Sequence, residues 1–477
     1  MHRQILEAEN IMKTPDIQIL GGGPAGLTTG YYAKKKGISN FTIFEAGEHV
    51  GGNCRTLKIK GSDCQFRTGQ SGDFRFDTGA HRFHDKDPEA TKEVKSLLGA
   101  DLLRVTAPSE IFFQGKFYRF PLLLNDLVGK LETKTLLKIA WEKLHKKQEK
   151  QAENFAEFAI SQYGKTLAER FLLNYSEKLW GQPTYKLSTA IAGNRLKGLD
   201  LRSFLRSVVF GTPKNASHLD GSFFYPKYGI GMISDKLCES IGKQHIKLKH
   251  RINRLVHKNG KIERIIVTKE IGAPDAAAAQ DDIEIPTSIA INTLPLTLSM
   301  RMLEPPPPPE LCEVANTIKY RHLVLCVFCL NRDAFSPNAS LYFPSEEFPF
   351  TRLYEPKNRS LHMAPKGQTV IVLELPCYSD DAVWNMSEAA LQTEIWEALQ
   401  QVKPLFPEEV IHYQSYKLPF AYPVLEVGFE EKVADLVAYF ETFENLYLTG
   451  RSSLFRYLHL HDLFKAGQEV VEQITNA

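Results

Sequence analysis

No stretch of this chain is apolar for the ~18–20 residues that a membrane-spanning helix needs, so no such anchor is expected among its 477 residues. The opening MHRQILEAEN carries acids and no apolar core, so no secretory signal is read there. Charge of one sign is also lacking. Fifty-eight basic and 56 acidic side chains leave a formal +2, too little for a global field that would draw nucleic acid. Cysteine is sparse, seven in number and scattered, which excludes a disulfide framework and makes a reducing, cytoplasmic setting the simplest reading. Cys326 and Cys329 form a CxxC, but within LVLCVFCL they read as parts of a buried strand, with no second pair or histidine to complete a metal site. His459 and His461 lie two apart with no third ligand in view, so no metal is expected.

What is present has the length of two large modules. Ile17 to Leu20 reads as a short strand, a helix follows to about Lys36, and Phe41 to Phe44 reads as a second strand, a βαβ opening. From about 86 to 210 the pattern reads as helical, and 246–300 and 318–435 read as strand-rich. Within the first of these, 128–150 is expected to be a basic amphipathic helix, its charged face solvated; a membrane-surface role is the alternative. The alanine-rich Gly272–Asp282 insert suggests a hairpin tip, and the five prolines Pro305 to Pro309 suggest a stiff crossing between domains. A last strand, Leu446 to Leu448, precedes a helix expected from Leu463 to Ile474, with Asp462 as its cap.

Between the first strand and the first helix stands Gly21-Gly22-Gly23-Pro24-Ala25-Gly26. In a dinucleotide fold the first of these glycines permits a tight turn, Gly23 lets the backbone approach a pyrophosphate, and Gly26 lets helix and strand pack closely. The helix N-terminus then offers unbonded N–H groups to the phosphates. Glu45 ends the second strand 19 residues after Gly26, near the spacing of about 20 at which an acid meets the ribose diol. A carboxylate there would repel a 2′-phosphate.

The residues that follow carry a resemblance. Gly51-Gly52 with Arg55-Thr56, then Phe76 to Phe83 (FDTGAHRF), Phe224-Tyr225-Pro226 with Gly229 to Met232, Ile291 to Pro295 and Gly450-Arg451 resemble flavoproteins of the amine oxidase and protoporphyrinogen oxidase superfamily. GAHRFH and GRSSLFRYLHLHD are also similar to UDP-galactopyranose mutase and its relatives, although Gly79-Ala80 stands where a glycine pair is usual. The resemblance implies an α/β protein: a Rossmann-type FAD-binding domain made of 1–85, 222–302 and 436–477. A second, discontinuous substrate domain of α+β character would be made of 86–221 and 303–435. It implies non-covalent FAD held by Gly21, Gly23, Pro24, Ala25, Gly26, Glu45, Gly52, Arg55, Gly79, His81, Ile252, Thr293, Gly450, Arg451 and Asp462. The dipole of the last helix would stabilise negative charge on reduced flavin.

Two chemistries stay open. An oxidoreductase would pass hydride from substrate to flavin, with Tyr422 and Tyr457 as candidate cage rings. A mutase-like enzyme would use reduced flavin on a nucleotide sugar, with arginines for its diphosphate. Candidates for either are His81, Arg82, Arg352, Tyr422, Arg456 and Tyr457, with Tyr354 and the Tyr320-Arg321 pair as further choices. A third class is a flavin-binding protein without catalysis of its own. The expected partner is a small-molecule substrate, and a homodimer is compatible with the sequence.

Overall fold

The computed structural model describes residues 16–66, 70–122, 124–145, 151–192, 222–269 and 282–476. The chain divides into two compact units. One combines Met1–Gly52, Ser234–Thr317 and Val433–Ala477; the other combines Asn53–Ile233 and Ile318–Lys432.

The first unit is built on a five-stranded sheet in the spatial order Leu446–Leu448, Ile289–Asn292, Ile17–Leu20, Phe41–Phe44, Ile246–Lys247. Every pairing is parallel. Ile17–Leu20 is central and buried throughout, as a parallel strand covered on both faces must be. The first helix runs Pro24–Lys35 with proline in its opening turn, where a missing N–H costs nothing. The last helix packs on it. Thr28 donates its hydroxyl to the Leu463 carbonyl at 2.9 Å, and a Cβ on Gly467 would lie 2.8 Å from the Thr28 carbonyl carbon. This helix spans Leu460–Asn476, three residues earlier than the sequence suggests. Asp462 therefore sits inside its first turn and accepts the His459 N–H at 2.7 Å, a reach-back contact rather than a cap position.

A second sheet in this unit orders Asp282–Pro286, Lys261–Lys269, His250–Lys258 and Leu303–Glu304. The strands flanking the alanine-rich insert are antiparallel neighbours; the insert itself, at 270–281, lies outside the described residues. The proline run is not the crossing between units. Pro309 opens a helix, Pro309–Thr317, and the first unit continues to Thr317.

The second unit is organised by a seven-stranded sheet: Val410–Pro423, Tyr320–Leu330, Thr369–Cys377, Arg352–Tyr354, Ser340–Tyr342, Ser109–Phe113, Lys116–Phe120. Cys326 and Cys329 lie fully buried in the second of these strands, on opposite faces of the sheet. Cys326 joins a cluster closed by Leu391, Ile395 and Leu399 of the helix Glu388–Val402, a helix that falls within a stretch read as strands. Cys329 joins a cluster that includes Ile59, Phe74 and Phe76. These come from the hairpin Thr56–Ile59 and Phe74–Asp77, and this packing draws residues 53–85 into the second unit rather than the first. Residues 222–233 follow, because Ser222–Pro226 pairs with Leu102–Thr106.

The stretch 86–210 is not wholly helical. It contains the strands Leu102–Thr106, Ser109–Phe113 and Lys116–Phe120. The last two form a hairpin whose tip, Gln114 and Gly115, takes φ of 50° and 70°, the left-handed pair that matches strand twist. The basic segment forms two helices, Leu124–Lys130 and Thr133–Leu144, in place of one; 146–150 lies outside the described residues.

Asp77 ties the hairpin to the turn after Pro226. Its buried carboxylate accepts the Tyr225 hydroxyl, the Thr56 hydroxyl at 2.7 Å and the Ile230 N–H at 3.0 Å, while its carbonyl accepts the Tyr354 hydroxyl. Burial raises its pKa above the ordinary carboxylate range, against the pull of these donors. Asp77→Ala removes the acceptor from two buried donors and one partly buried donor, at roughly 1–3 kcal/mol for each buried one left unpaired. A loss of several kcal/mol is expected in chemical denaturation, and a loss under about 1 kcal/mol would contradict this account.

Lys178 donates to the carbonyls of Phe343, Ser345 and Phe350 at 2.8, 2.8 and 3.0 Å. Burial pushes its pKa down to about 7. The unfolded lysine titrates near 10.4, so between pH 7 and 10 the unfolded chain holds more protons at this site. The Lys178 contribution to stability therefore improves as pH rises across that window. Lys178→Met should flatten that part of the thermal midpoint against pH; an unchanged profile would count against it.

Candidate functional site

The candidate dinucleotide cradle lies within the first unit and is shaped by what glycine leaves out. Gly21 has φ of 110°, and a Cβ there would stand 2.5 Å from Thr293 Oγ1. Thr293 in turn donates its hydroxyl to the Leu20 carbonyl at 2.7 Å, fixing the strand end. A Cβ on Gly26 would stand 2.0 Å from the Gly21 carbonyl oxygen. One on Gly23 meets only the Cα of Gly52, at 3.9 Å. Gly52, with φ of 50°, faces Gly23 from the other side, and a Cβ there would come within 3.2 Å of the Gly23 Cα. Gly450, with φ of 94°, approaches Ala25 in the same way, at 2.6 Å. No side chain caps the first helix, so its opening N–H groups lack the usual intramolecular acceptor.

Glu45 is held where the cradle needs it. Its two oxygens accept Gly22 N–H at 3.0 Å and Gly47 N–H at 2.7 Å, which leaves each oxygen a further lone pair for a hydroxyl. Its carbonyl accepts the His250 N–H, and this places the strand carrying buried Ile252 beside it. These residues fit a dinucleotide: a bare backbone for pyrophosphate, open donors and an oriented carboxylate. Arg451 lies over the Tyr457 ring at 4.3 Å, and that ring meets His459 edge-on at 5.4 Å. Phe455 takes φ of 49°, and Arg456 after it is exposed. Of the Arg456-Tyr457 pair, only Tyr457 packs inward.

In the second unit the hairpin and the loop after it carry the other expected residues. Arg55 donates to the Tyr416 hydroxyl and keeps a buried Nε with no hydrogen-bond partner. Thr78 bonds to the backbone of Asn53 and Arg55. Gly79, with φ of 135°, would bring a Cβ within 3.2 Å of His81 Nε2. That nitrogen lies 2.8 Å from the Asn53 carbonyl, so His81 closes its own loop. Arg82 stacks on Phe223 and donates to Ser109 and Ser340 at 2.9 and 3.3 Å. Arg321 is buried, bonded to carbonyls of Lys178, Leu179 and Pro376, and Tyr354 bonds to the Asp77 carbonyl. These contacts anchor the fold.

Arg352 and Tyr422 are brought together, and with them come residues that sequence reading missed. Arg352 grips the fully buried Glu374 in a fork, Nε and Nη2 each 2.8 Å from one oxygen. Glu374 also accepts the Ala80 N–H at 2.8 Å, tying the loop of His81 to the same carboxylate. Around the guanidinium stand Tyr422, Tyr175 and Tyr342. Tyr175 meets Tyr342 edge-on at 5.9 Å, and Tyr422 meets Trp180 at 6.0 Å. Burial opposes charge on Arg352, but Glu374 and the tyrosines hold it protonated, its pKa above the ordinary value. Burial pushes the Tyr175 phenol up. Arg352 and all three tyrosines remain partly exposed. One signal could have revealed Glu374: it is the lone charge in the apolar run TVIVLELPC. Nothing local marks Tyr175 or Tyr342.

A family model described as flavin containing amine oxidoreductase matches residues 24–475. Among solved structures, a reduced UDP-galactopyranose mutase superposes with a TM-score of 0.80 at 18% identity, covering 97% of this chain and 96% of its own. A protoporphyrinogen oxidase, assigned as such only provisionally, from Exiguobacterium sp. 255-15 gives 0.71 at 17%, covering 97% and 99%. A putrescine oxidase bound to putrescine gives 0.59 at 15%, covering 97% and 99%. At these identities the likeness is one of fold.

Gly26→Ala should weaken dinucleotide affinity by about tenfold or more, equivalent to ~1.4 kcal/mol, since its Cβ has no room against the Gly21 carbonyl. The readout is the ratio of visible flavin to protein absorbance after dialysis; a wild-type ratio would refute the steric argument.

Proposed function

The chain belongs to the flavin-containing amine oxidoreductase family, and on that premise we propose that it rearranges a phosphorylated small molecule, a nucleotide sugar, without net redox change. It binds FAD. When reduced, this cofactor supplies a nucleophilic ring nitrogen, and when oxidised a hydride acceptor. The observation that carries the reading is the cluster around Arg352. Glu374 spends its charge on Arg352, so the cluster offers a guanidinium edge and three tyrosines rather than a carboxylate. A cationic amine meets the like charge of Arg352 in such a lining. A diphosphate gains charge-assisted hydrogen bonds from the remaining guanidinium edge and from phenol hydroxyls.

In this reading Arg352 binds and orients the anion, with Tyr175, Tyr342 and Tyr422 donating to it or stacking on a base. Glu374 keeps the guanidinium plane fixed and holds Ala80, and with it the backbone before His81. The raised phenol of Tyr175 stays protonated at neutral pH, as a donor to phosphate must.

The second reading is an oxidoreductase taking hydride from its substrate. The edge-on Tyr422–Trp180 pair favours it, because aromatic walls suit an apolar donor.

Anaerobic photoreduction of the flavin followed by addition of UDP-galactopyranose separates the two. Isomer formed with the flavin still reduced supports the first reading. Bleaching of oxidised flavin by putrescine or another amine, with no turnover of nucleotide sugar, overturns it. Arg352→Lys loses the fork, so KM for the nucleotide sugar should rise about 10–100-fold, the equivalent of ~1.5–3 kcal/mol for a charged hydrogen bond.

A further inference from the structure

The helix Thr133–Leu144 carries more apolar surface than its own core uses. Leu136 and Ile139 face inward, against the cluster of Ile111, Phe113, Tyr118 and Phe171. Leu137, Trp141 and Leu144 do not. They are 66, 60 and 82% exposed, and at i, i+4 and i+7 they form one stripe along the helix. Trp141 is braced by a stacked His145 at 4.6 Å. Lys134 and Lys138 are exposed on the same outer arc. The acid within the stripe is turned away: Glu142 accepts the Thr166 N–H and hydroxyl at 2.9 and 2.6 Å.

Charge is concentrated here. Residues 128–150 hold seven lysines against three glutamates, a formal +4, while the whole chain totals +2. We propose that this helix docks the protein on an anionic lipid surface, with Leu137, Trp141 and Leu144 entering the headgroup region and the flanking lysines meeting lipid phosphates. An apolar stripe beside lysines is the pattern of a helix that lies in the plane of a membrane. Long lysine stems let the ammonium groups reach headgroups while the leucines sink.

Charge argues against the other occupants. A second copy would place one +4 segment against another. The segment 193–221 of this chain is itself basic, with Arg195, Lys197, Arg202, Arg206 and Lys214 against Asp200 and Asp220, so it has no electrostatic reason to cover this face.

The test uses the full, FAD-loaded chain. It should sediment with vesicles of phosphatidylcholine containing phosphatidylserine, with a blue shift of tryptophan emission, and not with phosphatidylcholine alone. Trp141→Gln/Leu144→Gln and, separately, Lys134→Glu/Lys138→Glu should each weaken that binding about tenfold or more. Visible flavin absorbance checks that each variant is folded. Four outcomes would overturn the proposal: no binding to the anionic vesicles, binding indifferent to both variants, or Trp141 emission shielded from iodide in the free protein. The fourth is a dimer that the Trp141→Gln/Leu144→Gln variant dissolves. Binding of polyglutamate through the same residues, with vesicles ignored, would reassign the face to an acidic protein.

Discussion

Where the first helix leaves the first strand, backbone has to touch backbone. The Gly21 carbonyl fills the space that a Cβ on Gly26 would need and the Gly52 backbone closes on Gly23, while Gly450 presses against the Ala25 methyl group. Each is a contact that any side chain would push apart. The rest of the first unit depends on it. The parallel strands must end at one level for these loops to converge, and the last helix must come down to the Thr28 backbone at Gly467. What remains at the convergence is a set of open N–H groups beside an oriented carboxylate, an arrangement that fits a dinucleotide.

The second unit meets a different constraint, that of polar groups kept inside. Among the described residues three carboxylates are buried here, Asp77, Glu355 and Glu374, and each satisfies several donors at once. Asp77 joins a hairpin to a distant turn; Glu374 joins a loop to an arginine. A buried charge is tolerated only with such partners, so each acid fixes the geometry of whatever it holds. Arg352 owes its orientation to this, and the tyrosines around it gain a fixed neighbour.

Much of the first unit was legible in the sequence, because short-range rules decide it. Glycine spacing, the strand before it and Glu45 after it are local signals, and the structure places Gly21, Gly23, Gly26, Gly52, Thr293 and Gly450 around one cradle. The second unit was read less well. Its sheet recruits Ser109–Phe113 and Lys116–Phe120 from a stretch that reads as helical, where only Gln114-Gly115 betrays the turn. Tyr342 becomes the neighbour of Arg352 through strand register, and Tyr175 arrives from a helix far away in the chain. Such meetings are long-range, and no local pattern encodes them. Arg82 and His81, expected from the sequence at the site, are also engaged in holding the loops around them.

The chain passes between its two units four times, since the five segments alternate. Synthesis runs from one end to the other, so this order has a consequence for biogenesis. The parallel sheet waits for Leu446–Leu448 as its edge strand, and the first helix waits for Leu460–Asn476 to cover it. Both follow every other strand of that sheet in chain order, so the first unit stays unfinished until they have been made. A nascent chain stalled shortly before Leu446 would expose the sheet edge at Ile289–Asn292 and the bare face of the first helix to chaperones.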